Sequence, residues 1–220
     1  SLIANNTCNG ILMLDDSRLN VTDSEIRGNG GAGLFLNGFS ALIRSSYIRS
    51  NAWGVISYGP LLQIEDTSIS DNVYEGIVLY EQSVLNIMES TLGNNTRGIV
   101  AYDFSMVTIN DSTIISSTYE GIVVYLNSSL QASYLNVTEN LRGIAAYGVA
   151  SVDAHYADIS LNEYEGIYIG GNATVTLSYS SIRLNTWGIV VGTGNYATVY
   201  VHNNSIVNNV EYGVLNWGIT

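Results

Sequence analysis

A glycine followed by an aliphatic residue returns ten times along this chain, at Gly10-Ile11, Gly33-Leu34, Gly54-Val55, Gly76-Ile77, Gly98-Ile99, Gly121-Ile122, Gly143-Ile144, Gly166-Ile167, Gly188-Ile189 and Gly213-Val214. Successive gaps are 23, 21, 22, 22, 23, 22, 23, 22 and 25 residues. A unit this short cannot bury its own apolar face and must stack on its neighbours, so the repeat leaves few architectures open. A longer period overlies the first. Tyr74-Glu75-Gly76-Ile77, Tyr119-Glu120-Gly121-Ile122 and Tyr164-Glu165-Gly166-Ile167 recur at 45-residue steps, with Thr96-Arg97-Gly98-Ile99 and Leu141-Arg142-Gly143-Ile144 midway between.

Within each interval, short β-branched runs alternate with turn residues, which predicts strands and not helix. Ile77-Val78-Leu79, Val84-Leu85-Asn86-Ile87 and Leu92 fill one interval; Ile99-Val100-Ala101, Met106-Val107-Thr108-Ile109 and Ile114 fill the next. A third apolar point recurs as Ile3, Ile26, Ile48, Ile69, Leu92, Ile114, Val137, Ile159, Ile182 and Ile206. The pattern predicts an all-β solenoid of about ten coils of 22–23 residues, three short parallel strands per coil, in one domain spanning residues 1–220. Equivalent side chains of successive coils then lie about 4.8 Å apart and stack in columns.

Asn51-Ala52-Trp53-Gly54-Val55, Asn95-Thr96-Arg97-Gly98-Ile99, Asn140-Leu141-Arg142-Gly143-Ile144 and Asn185-Thr186-Trp187-Gly188-Ile189 follow an Asn-x-x-Gly-aliphatic pattern. In this the chain resembles the right-handed parallel β-helix repeat family, with its pectin-lyase-like and NosD-like repeats, over essentially its whole length. The resemblance implies a right-handed, single-stranded parallel β-helix. It says little about function, since that family includes polysaccharide lyases, epimerases, tailspikes, adhesins and surface-layer proteins.

Reading the columns narrows the chemistry. The residue before each anchor glycine runs Glu75, Arg97, Glu120, Arg142, Glu165, with Trp53 and Trp187 at either end, which predicts a stacked ion-pair ladder. Exposed pairs of this kind contribute only about 0–1 kcal/mol each. Four residues after the anchor, Tyr58, Tyr80, Tyr102, Tyr125 and Tyr147 predict an aromatic ladder, which could stack structurally, meet another protein or present rings to sugars. Asn51, Asn72, Asn140, Asn162 and Asn185 predict a hydrogen-bonded turn ladder, and the anchor glycines are expected to supply backbone angles other residues avoid. Two residues after the anchor stand Leu12, Phe35, Ile56, Val78, Val100, Val123, Tyr168, Val190 and Leu215. Strand alternation turns these outward, so they are expected to form an apolar assembly face for self-association.

Composition excludes several partners. The net charge is −12, with seven Arg and no Lys, which disfavours nucleic acid and anionic lipid. No apolar run reaches the roughly 18 residues that a spanning helix needs, so membrane insertion is not expected. Cys8 is the only cysteine and is expected to be a buried free thiol. Eight Asn-x-Ser/Thr sequons, at Asn5, Asn20, Asn94, Asn110, Asn127, Asn136, Asn172 and Asn203, permit glycosylation and a secreted, cell-surface location. Ser1 is expected to mark a processed N-terminus, and the lack of capping helices favours head-to-tail growth or a piece of a longer chain.

Catalytic sets are thin. Asp153, His155 and Asp158 share one coil and make the best local cluster, though they also read as outward polar residues of a strand. Asp15-Asp16 and Glu65-Asp66 could bind Ca²⁺, but no regular Asp motif supports it, and no cofactor or metal is expected. The leading expectation is a non-enzymatic subunit of an extracellular coat, similar in its Lys-free, sequon- and Tyr-rich composition to archaeal surface-layer or cell-sheath proteins. The alternative is a secreted carbohydrate-binding or carbohydrate-processing β-helix, lyase- or epimerase-like or of the tailspike and adhesin kind, using the Tyr column or the Asp153/His155/Asp158 coil.

Overall fold

The computed structural model describes residues 1–15, 18–38, 40–192 and 196–217. Among them every regular element is a strand, and every strand pairing is parallel to the equivalent strand one turn away. Among the described residues no helix is long and apolar enough to cross a membrane. Three sheets run the length of a right-handed solenoid, the hand that parallel strand connections take. The anchor sheet, with strands such as Glu120–Val124 and Arg142–Ala146, has ten strands. The middle sheet, with Ser129–Ser133, Ser151–His155 and Thr174–Ser178, has nine. The closing sheet, with Asn136–Thr138 and Asp158–Ser160, has ten. The described residues therefore make nine complete turns with one further strand at either end, against the ten coils expected.

Inward columns of Ile, Leu, Val and Ala from all three sheets form one continuous core. Register is strict: Ile77, Ile99, Ile122, Ile144 and Ile167 pair in sequence up the anchor sheet. A one-residue slip would turn every inward side chain outward, which is why alternation specifies the pairing so strongly.

One corner takes its left-handed backbone from residues other than glycine. Asp66, Glu89, Asp111, Tyr134, Tyr156 and Tyr179 all take left-handed backbone angles at the corner between the middle and closing sheets. The anchor glycines do not have positive φ, contrary to expectation. Their reason is space. A Cβ on Gly76 would lie 2.7 Å from the Gly98 carbonyl oxygen and 2.9 Å from Asn95 Nδ2.

The asparagines beside them form the predicted ladder. Asn162 Nδ2 donates to Asn185 Oδ1 at 3.0 Å and to the Val137 carbonyl at 3.2 Å, while the Asn162 backbone N–H donates to the same Asn185 oxygen at 2.9 Å. Asn29, Asn51, Asn72 and Asn95 repeat the pattern lower in the stack. Each amide thus joins three successive coils where a buried turn would otherwise leave polar groups unpaired.

Candidate functional site

The outer face of the anchor sheet carries both predicted ladders. Arg97 donates through Nη1 to Glu75 at 3.1 Å and through Nε to Glu120 at 2.8 Å; Arg142 donates through Nη1 to Glu120 at 3.4 Å and through Nε to Glu165 at 2.7 Å. Trp53 Nε1 donates to Glu75 at 3.1 Å below this run, and Trp187 Nε1 to Glu211 at 2.9 Å above it. Glu120 and Glu165 are buried, so these are not the exposed pairs the sequence suggests. Burial works against the charge of Arg97, but its hydrogen bond and charge attraction to Glu120 outweigh that and raise its pKa.

Beside this ladder Tyr58, Tyr80, Tyr102, Tyr125 and Tyr147 stack with centroids 4.8–5.3 Å apart. Because each ring lies face to face with the next, the faces of the inner rings are not free for a sugar. Burial, then the charge of Glu120, pushes the Tyr147 hydroxyl up to about 12.

The predicted assembly face lies beneath these rings. Val78, Val100, Val123 and Val190 do point away from the core, yet all four are buried. Val100, Val123 and Ala145 pack under Tyr102, Tyr125, Tyr147 and Tyr168. Phe35, Ile56, Tyr168 and Leu215 are half-buried, Phe35 lying 5.7 Å from Tyr58, and only Leu12 is exposed. Alternation fixes the direction of a side chain but not what leans over it, and the expectation of a bare apolar face is corrected here. Cys8 is likewise corrected, being exposed.

The middle sheet is different, since its outer face is polar and lies open. One column runs Asn86, Thr108, Gln131, Asp153, Thr176; the next runs Asn110, Ser133, His155, Ser178, His202. Thr108, Asn110, Gln131, Ser133, Asp153 and His155 line an open groove of about 270 Å³. Tyr134, Tyr156 and Tyr179, each directly after a residue of the second column, form another stack along its edge, with centroids 5.1 and 5.3 Å apart and about half of each residue exposed. Tyr179 meets the edge of His202 at 5.8 Å. This second aromatic ladder was not anticipated from the sequence. It emerges when residues are counted back from the third apolar point instead of forward from the anchor glycine.

Of the cluster expected on one coil, the structure keeps two members together and removes the third. His155 Nε2 lies 3.1 Å from Asp153 Oδ1, though that oxygen lacks an aligned hydrogen-bond donor. Asp158 sits round the corner on the closing sheet, where Arg183 pairs with it at 2.6 Å. Ser178, one turn on, takes its place: its hydroxyl contacts His155 Nδ1. Glu65 pairs with Arg44 and Asp66 accepts from Ser45, while Asp16 lies outside the described residues. No group of three metal-ligating side chains occurs among the described residues.

The sequence profile of the right-handed β-helix region family matches residues 1–141 and 135–219, and the chain belongs to that family. Its fold is similar to the solved periplasmic alginate epimerase AlgG, at 15% identity and a TM-score of 0.75, covering 87% of this chain and 51% of that one. It is also similar to the Azotobacter vinelandii mannuronan C-5 epimerase AlgE6 A-module, at 14% identity and a TM-score of 0.65, covering 90% and 64%. The chain thus spans about half to two thirds of these proteins. No curated protein sequence matches it significantly. At such identities the likeness shows the fold alone, but it corrects the expectation of a non-enzymatic chain: the same scaffold is found in epimerases, so the lack of Lys and the repeated columns do not argue against catalysis. The comparisons give no support to a sheath or surface-layer role.

Proposed function

We propose that this chain is a carbohydrate-binding or carbohydrate-processing β-helix whose working surface is the open outer face of the middle sheet. The observation that carries this reading is the juxtaposition on that face of a hydrogen-bonding groove, the Asp153–His155–Ser178 contacts and a rim of exposed tyrosines. Sugar rings offer hydroxyls that polar side chains and the phenol oxygens of exposed tyrosines can pair with, and a surface with both suits them. The rungs repeat at about 4.8 Å, comparable to the length of a pyranose residue, so a glycan chain lying along the solenoid axis meets like groups at each step.

Charge selects among glycans. The neighbouring folds named above act on polyuronates, but here the net charge is −12 and six of the seven arginines, Arg27, Arg44, Arg49, Arg97, Arg142 and Arg183, are held by carboxylates. A polyanion would be repelled with little local compensation, so a neutral polysaccharide is the fitting ligand. An extracellular location goes with this reading, supported by the exposure of all the sequon asparagines except the half-buried Asn110.

Affinity electrophoresis against neutral and acidic polysaccharides tests this. Retardation by a neutral polymer, lost in Tyr156→Ala and His155→Ala, is the expected result. Absence of retardation by every polymer, or retardation untouched by both substitutions, would contradict it.

A further inference from the structure

The same sheet face holds one feature that sugar binding alone does not use. His155 and His202 are the two histidines of the chain, and both lie in the same column with Ser178 between them in direct register. The Ser178 hydroxyl contacts His155 Nδ1, and the opposite nitrogen of that ring faces Asp153 Oδ1. With its proton on Nε2, the side that faces the carboxylate at 3.1 Å without an aligned N–H, the neutral ring has Nδ1 free to accept from the serine. Acceptance of the hydroxyl proton by a neighbouring base is the part of an activated serine that this contact supplies.

On the far side, the Asn203 amide lies 2.9 Å from His202 Nε2 and can donate to it. When the amide donates in this way, the proton of the neutral His202 ring is on Nδ1, a hydrogen-bond donor one rung from Ser178.

Resting on the carbohydrate reading above, we infer that Ser178 is the nucleophile of an acyl-transfer site, with His155 as its base, Asp153 as a positioning residue and His202 as a donor to the oxyanion. The substrate class is an O-acyl ester carried on a neutral polysaccharide. Ser178 Oγ attacks the ester carbonyl carbon as its proton passes to His155 Nδ1, and the carbonyl electron pair moves onto oxygen. Collapse of the tetrahedral adduct breaks the bond to the sugar oxygen, which leaves with the proton from His155. Water, deprotonated by the same ring, then cleaves the acyl-serine to give the carboxylic acid and free Ser178. Ester and water are the sole reactants. Ser178 is 8% exposed.

The test combines three readouts on the intact chain: labelling by a fluorophosphonate with the modified residue located by mass spectrometry, release of acetate from an acetylated neutral polysaccharide, and binding of the same polymer after deacetylation. The expected result is a label on Ser178, acetate release abolished in Ser178→Ala, and kcat lowered about 10²–10⁴-fold in His155→Ala. Loss of one oxyanion donor in His202→Ala should lower kcat about 10²–10³-fold. Asp153→Asn should lower kcat by more than it weakens binding of the deacetylated polymer, since the amide keeps the polar lining of the groove but not the charge beside the ring. Should Ser178→Ala fail to fold, the site of labelling in the parent still decides. Neither label nor acetate from the parent, or full activity in a folded Ser178→Ala, overturns the inference. Binding of the deacetylated polymer separates the two claims: binding without hydrolysis sinks only the acyl-transfer site, while Ser178-dependent hydrolysis of a small acetate ester without polymer binding sinks only the polysaccharide reading.

Discussion

Ser117 donates its backbone N–H to Asn140 Oδ1 at 2.9 Å, but its own hydroxyl is buried with no hydrogen-bond partner. It stands where the rungs below and above carry Asn95 and Asn140, so a serine interrupts an otherwise continuous amide ladder. Replacing it with Asn should restore the missing bonds. Ser117→Asn is expected to stabilise the fold by about 1 kcal/mol, a typical net hydrogen bond, and to raise Tm by about 2–4 °C for a chain of this size. Asn140→Ala should have the opposite sign and cost about 1–3 kcal/mol, because it leaves buried groups unpaired. Thermal and urea unfolding of both variants check this.

The two kinds of ion pair should behave differently. The Glu120 side chain is 9% exposed and accepts from both Arg97 and Arg142, whereas Arg44 is half exposed in its pair with Glu65. Glu120→Ala is expected to cost about 2–4 kcal/mol, since two half-buried guanidiniums lose a shared partner. Arg44→Ala should cost under about 1 kcal/mol. Chemical denaturation in low and high salt distinguishes them, with the Arg44 pair the more salt-sensitive.

The tyrosine ladder sets an alkaline limit. Burial is the largest cause that raises Tyr80, Tyr102 and Tyr125 above their ordinary value of 10.0, and Tyr147 reaches about 12. A raised folded pKa means that the ladder's contribution is fully present below pH 10 and is lost as the pH climbs through about 12. Stability should therefore fall across that window. Tyrosinate absorbance should show Tyr80, Tyr102, Tyr125 and Tyr147 ionising above their ordinary value, with unfolding accompanying that phase.

How much of this was legible beforehand depends on which line through the repeat is followed. The three-strand coil, the Glu75 to Glu165 alternation one residue before the anchor glycine and the Tyr58 to Tyr147 stack four residues after it all follow from counting from that glycine. The covering of Val123 does not, because it depends on the tyrosine rings of neighbouring positions packing over it, and sequence spacing does not encode which side chain covers another. Nor does the Ser178–His155 contact stand out, since the two residues are 23 positions apart. It becomes visible once the residue four before each third apolar point is aligned, giving Asn110, Ser133, His155, Ser178 and His202.

That correction has its own test. If Val123 is sealed under the tyrosines, Val123→Thr should destabilise by about 1–3 kcal/mol, the cost of an unpaired buried hydroxyl, although it lies on the outer side of the sheet. Leu12→Thr, in the same column but exposed, should change stability by under about 0.5 kcal/mol. Equal effects at the two positions would show that the face is bare.

The central claim concerns the middle sheet, and the chain offers a direct probe of it in having two histidines, both in the working column. Titration with neutral oligosaccharides, followed through the imidazole NMR resonances, should shift both signals saturably and with one dissociation constant. Saccharide binding that leaves both imidazole signals unmoved would contradict the assignment of this face as the site.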